Sequence, residues 1–284
     1  MHAERATDGE GPGFNQFMKS MRWLSLLLLG ALTEFPVLVQ AQSYSQPSGS
    51  SQANLQADAE QILALANQAR ARVGARPLQW DPALAAAALK HCLRMVAEGP
   101  ISHRYGGEED LSVRAAEAGA HFSVIEENVA IAPTAAEIHE EWMESPGHRE
   151  NLLNPEVDHV GIAVVQGRRT KCAVADYSRV VEKKNAAEVE TQIATLVAAS
   201  GVSILRDPSA ARATCVEDGG MPPATPGLQP HFVMRWQDAQ LDRLPQELAA
   251  RLQSGRFRMA DVGSCPAREV EGSFTSYRIA VILY

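Results

Sequence analysis

The sequence lacks the short motifs that assign a chain to a common enzyme class. It contains no H-E-x-x-H metalloprotease signature, no G-x-S-x-G nucleophile elbow, no phosphate-binding P-loop and no Cys-x-x-Cys pair. The closest approach, His139 to Met143, ends in Met where the metalloprotease signature requires a second His. No activated nucleophile can be named. The catalytic residues are therefore unknown, and we expect a binding role rather than catalysis.

Basic residues are scarce relative to acidic ones. The chain has 26 Lys and Arg against 34 Asp and Glu, which gives a formal net charge of -8 at pH 7. Nucleic acids and anionic membranes both favour a basic surface, so neither is expected as a partner. The 284 residues, 45% of them hydrophobic, suffice for a globular protein with one large domain or two smaller ones.

A long apolar run is missing as well. The apolar run from Trp23 to Leu32 is ended by Glu34 and Pro36, whereas a helix that spans a membrane needs about 20 apolar residues. The run is preceded by the positive charges of Lys19 and Arg22. A short apolar stretch behind positive charge is typical of a cleavable export signal.

Residues 1–41 are therefore predicted to be a signal peptide region, with small residues at 39–41 before the cleavage site. We place its true start at Met18 or Met21, because the residues before them are polar and charged. The Ser/Gln/Gly-rich residues 42–57 are predicted to be a flexible linker. We expect a secreted, periplasmic or cell-envelope protein with no stable membrane span after cleavage.

The four cysteines of an exported protein are expected to form disulfides. Cys92 and Cys172 lie in one part of the sequence, whereas Cys215 and Cys265 lie in its C-terminal third. Pairing within each group is the simplest of three connectivities, and the sequence alone does not choose among them. A buried free thiol is an equal alternative for Cys92.

Residue periodicity indicates helices followed by strands. Apolar residues recur at three- and four-residue steps from Asp58 until Gly74, and Asp81-Pro82 supplies the N-cap and first residue of a second helix. Residues 160–165 and 172–177 are predicted to be paired strands. No internal sequence repeat is apparent.

Beyond Val181 the pattern changes, and residues 182–284 are predicted to form a small α+β domain. The predicted helices lie at 186–199 and 244–252, and the predicted strands at 202–205, 231–236, 258–262 and 277–284.

Four motifs follow the first two helices. They are SH at 102–103, EENVA at 126–130, WMESPGHRENLLNP at 142–155 and HVGIAVV at 159–165. With these motifs, residues 58–180 resemble a bacterial member of the CAP superfamily, the relatives of cysteine-rich secretory proteins, antigen 5 and plant pathogenesis-related proteins. The resemblance implies an α+β fold, a three-layer α-β-α CAP sandwich at 58–181, followed here by the C-terminal α+β domain. It also implies a cleft lined by two histidines and two acids.

The resemblance carries three cleft positions over to this sequence. His103 matches the first histidine, Glu127 matches the acid of the family's Gly-Glu-Asn motif, and His148 matches the second histidine. The glycine of that motif is replaced by Glu126, so the local turn is in doubt.

The second acid of many eukaryotic members would fall on Ser145. Helical geometry offers Glu141 instead, because it lies one turn before Ser145. The predicted cleft is therefore His103, Glu127, Glu141 and His148. The two imidazoles, with a carboxylate nearby, form a plausible site for Zn²⁺ or another divalent cation, with His103 and His148 as the metal ligands.

Three functions follow from this cleft. We expect a binding or interaction module at the cell envelope, with a small polar, lipid or protein ligand. The alternatives are a metal-dependent hydrolase of peptides or wall polymers and a lipid or sterol carrier, which would need a broad apolar groove. A CAP fold alone does not decide among them.

Overall fold

The computed structural model describes residues 49–224, 227–268 and 274–284. The predicted signal region at 1–41 lies outside them, as does the first part of the predicted linker. The linker prediction is wrong for residues 49–57, because the first helix already begins at Gly49. Leu55 packs against the core, so burial of this apolar side chain favours the longer helix. Among the described residues, no helix combines the length and apolar character that crossing a membrane requires.

The first part of the described chain builds a four-stranded sheet with the strand order β1-β3-β4-β2. Its elements are α1 (Gly49–Arg72), β1 (Gln79–Trp80), α2 (Pro82–Glu98), α3 (Leu111–Glu117), β2 (Phe122–Ala132), α4 (Ala135–Glu144), α5 (Pro146–Leu153), β3 (His159–Gln166) and β4 (Lys171–Val180). Helices α1, α4 and α5 cover one face of the sheet, and α2 and α3 cover the other. The α+β class and the three-layer α-β-α sandwich are thereby confirmed. We call this part the first sandwich.

Local signals account for several of these elements. The side chain of Asp81 accepts hydrogen bonds from the amides of Ala83 and Leu84 and so caps α2, whose first residue is Pro82. The strands predicted at 160–165 and 172–177 are antiparallel neighbours in the sheet. β3 is buried through most of its length because helices cover both of its faces.

The second part of the chain, residues 186–284, builds another four-stranded sheet, with the order β5-β7-β8-β6. Its elements are α6 (Ala186–Ala198), β5 (Ser203–Ile204), α7 (Ser209–Val216), β6 (Phe232–Asp238), α8 (Gln246–Gln253), β7 (Met259–Cys265) and β8 (Tyr277–Leu283). The prediction of two helices is wrong, because α7 makes a third. Its sequence, SAARATCV, has no large apolar residues at helical spacing, so apolar periodicity does not identify it. We call this part the second sandwich.

The two sandwiches share one architecture. Each runs helix, strand, helix, strand, helix, strand, strand, with α3 and α5 as additional short helices in the first. In each, the first strand is parallel to the third, and the fourth lies antiparallel between the third and the second. A glycine lies against the second main helix in both, Gly161 against α2 and Gly263 against α7. The structure thus repeats an architecture that the sequence does not reveal.

Two disulfides link helices to sheets. Cys92 of α2 bonds to Cys172 of β4, and Cys215 of α7 bonds to Cys265 of β7. The pairing within each group is therefore confirmed. In each sandwich, the disulfide joins the helix that packs on the glycine to a strand of the sheet. All described residues belong to one compact unit, and the predicted domain boundary at 181–182 stays a prediction.

Candidate functional site

The predicted cleft lies at the free edge of the first sheet. β2 is the outermost strand of this sheet, and Glu127 lies near its middle. His103 belongs to the loop between α2 and α3 on one face, and His148 belongs to α5 on the other. The two imidazole rings are 6.3 Å apart between centroids. The structure therefore brings His103, Glu127 and His148 together from three separate segments.

A hydrogen bond to Glu127 orients His103. The Nδ1 atom of His103 lies 2.9 Å from Oε1 of Glu127. An ionised carboxylate can only accept, so Nδ1–H of the imidazole donates. This hydrogen bond raises the pKa of His103 above its usual value. The side chain of Glu127 is buried, whereas that of His103 is 58% exposed. The Nε2 atom of His103 has no hydrogen-bond partner among the described residues and remains free for a ligand.

His148 is positioned through its backbone. The side-chain amide of Asn128 donates to the carbonyl of His148 at 2.8 Å, and Asn151 donates to the side-chain oxygen of Asn128 at 3.0 Å. Asn128 is fully buried, so this contact ties α5 to β2. Burial, followed by the nearby His103, lowers the pKa of His148. The imidazole of His148 is therefore neutral at pH 7, the state in which it can bind a metal.

Glu126, which replaces the family glycine, does not create a turn. It lies within β2, in register with Tyr177 of β4, and its Oε1 accepts a hydrogen bond of 2.7 Å from the side chain of Asn154. Because neighbouring side chains of a strand point to opposite faces, Glu126 and Glu127 face different layers. Burial raises the pKa of Glu126.

Among the described residues, no hydrogen bond or ion pair links Glu141 to His103, Glu127 or His148. Glu141 is an exposed residue of α4, and its backbone carbonyl accepts the amide of Ser145. Its membership of the cleft stays a prediction.

Sequence reasoning missed a buried charged cluster behind His103. The guanidinium of Arg114 in α3 forms an ion pair with Oε2 of Glu127 and lies 3.8 Å from Glu108. Glu108 in turn lies 2.9 Å from Nδ1 of His91. All four side chains are nearly or fully buried. Both carboxylate oxygens of Glu127 are thus engaged, one by His103 and the other by Arg114.

Asp176 is the second residue that sequence reasoning missed. It stands opposite Glu127 in the β2–β4 ladder, is completely buried, and neither of its carboxyl oxygens accepts a hydrogen bond. Burial, together with the neighbouring Glu127 carboxylate, raises the pKa of Asp176 well above its usual value. Folding therefore favours the neutral acid at Asp176 over the carboxylate. An acid inside the apolar run of residues 172–177 was the signal that could have identified it.

The Asp176→Asn variant is expected to become more stable than wild type as the pH rises. Above the ordinary aspartate pKa of 3.8, the unfolded chain releases a proton that the folded protein retains. The contribution of Asp176 to the free energy of unfolding is therefore largest below this pH and falls as the pH rises above it. Asn has no such proton. Relative to wild type, Asp176→Asn should gain about 1.4 kcal/mol per pH unit until the pKa of the folded state is reached.

Urea unfolding at pH 4, 5.5 and 7 measures this gain. Asp242→Asn, which makes the same change at an exposed position, is the matched control. A pH-independent difference between Asp176→Asn and wild type would contradict the assignment of a neutral acid.

The donor set limits what this cleft can hold. Within the described ranges, no group of three or more His, Cys, Asp or Glu side chains is placed to share a metal ion. His103 and His148 remain as two imidazole nitrogens, with Glu127 as the partner that orients one of them. Two imidazoles are fewer protein ligands than the three or four of most zinc sites, so a cation held here would take its remaining ligands from water or from a bound molecule.

The fold and this arrangement define an α-β-α sandwich in which two histidines and a glutamate meet at an edge strand. Residues 63–177 match the model of the cysteine-rich secretory protein family, CAP. Together with the confirmed sandwich, this match shows that residues 63–177 form a CAP domain, as the motifs predicted.

Two curated relatives match part of the chain. The chain is 31% identical over 111 residues to the uncharacterized protein YkwD of Bacillus subtilis, covering 38% of this chain and 42% of that protein. It is 35% identical over 112 residues to the uncharacterized membrane protein YlbC of the same organism, covering 37% and 31%. It thus spans less than half the length of these curated relatives. An extracellular protein of Bacillus anthracis that contains an SCP domain has a crystal structure that aligns with a TM-score of 0.42 at 27% identity, covering 48% of this chain and 45% of that one.

Proposed function

We propose that this CAP-domain protein is exported and acts as a binding module at the cell envelope, and that its cleft binds a divalent cation, with Zn²⁺ favoured, through His103 and His148. The observation that carries the proposal is the hydrogen bond from Nδ1 of His103 to Glu127. A histidine that donates one ring N–H to a carboxylate presents the other nitrogen as a metal ligand in a fixed orientation. Two disulfides suit an oxidising compartment outside the cytoplasm.

The arrangement favours binding over hydrolysis. A metal hydrolase usually combines three protein ligands with a carboxylate that is free to act as the base. Here both oxygens of Glu127 are engaged by His103 and Arg114, which leaves this carboxylate neither a free ligand nor a free base. A lipid or sterol carrier would need a broad apolar groove, whereas the groups that meet at Glu127 are polar. A bound cation would supply a positive centre at which an anionic or carbonyl group of a ligand is held.

Calorimetric titration of the purified protein with Zn²⁺ at pH 7.5 tests the proposal. His103→Ala and His148→Ala should each weaken binding by at least about tenfold, and the double variant should abolish it. His231→Ala serves as the control, because His231 is exposed outside the first sandwich. Binding should also weaken towards pH 5.5, because imidazoles must lose their proton to bind a metal.

Two results would overturn the metal part of the proposal. One is a wild-type protein that binds no divalent cation. The other is a double variant that binds as tightly as His231→Ala.

A further inference from the structure

We infer that Arg114 is a positioning residue of the cleft, which fixes the orientation and tautomer of His103 through Glu127. The inference rests on the proposed cation-binding function. It concerns a residue that does not itself face a ligand, because the side chain of Arg114 is only 2% exposed.

Arg114 contacts the backbone of His103 directly and its imidazole ring through Glu127. The Nη2 atom donates to Oε2 of Glu127, whose other oxygen accepts Nδ1–H of the His103 ring. The Nη1 atom donates to the backbone carbonyl of His103 at 3.1 Å and to that of Glu109 at 3.4 Å. One planar guanidinium therefore holds the loop that carries His103 and also the carboxylate that orients its ring.

This arrangement has a consequence for the ring nitrogens. Glu127 cannot turn its carboxylate away from His103 without losing the ion pair with Arg114, which is buried and therefore costly to break. Asp176 closes the remaining side, since it stands opposite Glu127 in the ladder and is buried. With Glu127 fixed, Nδ1 of His103 keeps its proton and Nε2 is the nitrogen that remains for a cation.

A lysine in place of Arg114 would not reproduce these contacts. An ammonium group is a single point of charge, whereas the guanidinium fork places separate N–H groups on Glu127 and on the carbonyl of His103. We therefore expect Arg114→Lys to retain the charge of the cluster but to lose part of the control over the ring.

Nitrogen-15 NMR of the imidazole rings in the metal-free protein, at a pH where His103 is neutral, tests the inference. The wild type should show His103 as the Nδ1–H tautomer. Arg114→Met should show a mixture of tautomers and bind Zn²⁺ about 10- to 100-fold more weakly, and Arg114→Lys should lie between the two. Arg94→Met is the matched control. Arg94 donates to the carbonyl of Gly106 in the same loop at 2.6 Å, so its loss should leave the tautomer unchanged.

The outcomes separate this inference from the proposed function. A role confined to stability predicts that Arg114→Met and Arg114→Lys lower Tm while the His103 tautomer and the Zn²⁺ affinity stay as in wild type, and that result would overturn the inference. If Arg114→Met does not fold, Arg114→Lys carries the same comparison. Should wild type bind no Zn²⁺, the proposed function fails, whereas the tautomer still decides whether Arg114 positions His103.

Discussion

Replacing Arg70 by Met should lower the free energy of unfolding by roughly 3–5 kcal/mol. The guanidinium of Arg70 is fully buried in the first sandwich and donates to backbone carbonyls only. It bonds to the carbonyls of Arg76 at 2.7 Å, Leu152 and Asn154 at 2.9 Å, and Val157 at 3.0 Å. Hydrogen bonds from a charged donor contribute about 1.5–3 kcal/mol each, and Met would leave these carbonyls without their donor.

The same substitution should loosen the candidate site. Leu152 and Asn154 lie at the C-terminal end of α5, whose last carbonyls have no partner within the helix. Arg70 supplies that partner from α1. Because His148 belongs to α5, the loss of this anchor should weaken Zn²⁺ binding as well as stability.

Urea unfolding followed by circular dichroism measures the effect. Arg72→Met is the matched control: Arg72 belongs to the same last turn of α1 but is exposed, and its replacement should change stability by less than about 0.5 kcal/mol. Equal stabilities of the Arg70→Met and Arg72→Met variants would contradict the assigned role of Arg70.

Elements with a local signal could be predicted from the sequence. The cap at Asp81-Pro82 depends on neighbours in the chain, and the paired strands around residues 160–165 and 172–177 follow one another closely. The cysteine pairs span 80 and 50 residues, and their pairing was predicted only as the simplest of three connectivities. The motifs around His103, Glu127 and His148 were identified by resemblance, and the structure places these three residues at one edge of the sheet.

The supports of the site could not be predicted in the same way. Arg114 looks like an ordinary charged residue of a short helix, and its role depends on contacts with Glu127 and with the carbonyl of His103. β2 was not identified as a strand, because Glu126, Glu127 and Asn128 interrupt its apolar pattern. These polar residues are accommodated by hydrogen bonds from other elements, which only the folded chain provides.

The repeated architecture was invisible for a related reason. The apolar faces of helices and strands maintain a fold, and many different residues can form such a face. Val160, Ile162 and Val164 face one layer in the first sandwich, and Ala260 and Val262 do so in the second. The position where a helix backbone lies directly on a strand is more restricted, because only glycine allows this close approach.

Gly161→Ala and Gly263→Ala should therefore each destabilise the sandwich that contains it, by about 3 kcal/mol, the upper part of the range for overpacking. A Cβ at Gly161 would overlap the backbone of Leu84 and Ala85 in α2, and a Cβ at Gly263 would overlap that of Ala211 and Arg212 in α7. In both cases the obstacle is helix backbone, which cannot move aside as a flexible side chain can. The helix would have to lift off the sheet to which a disulfide also ties it.

Amide hydrogen exchange, resolved along the chain, distinguishes the two sandwiches. Gly161→Ala should accelerate exchange in β3 and β4, and Gly263→Ala should accelerate it in β7 and β8. Gly106→Ala and Gly219→Ala are controls, because a Cβ at either position meets open space. If Gly263→Ala leaves β7 and β8 as protected as Gly219→Ala does, the close approach of α7 to β7 is not what holds the second sandwich together. The two sandwiches would then share their strand order but not the close packing of a helix on a glycine.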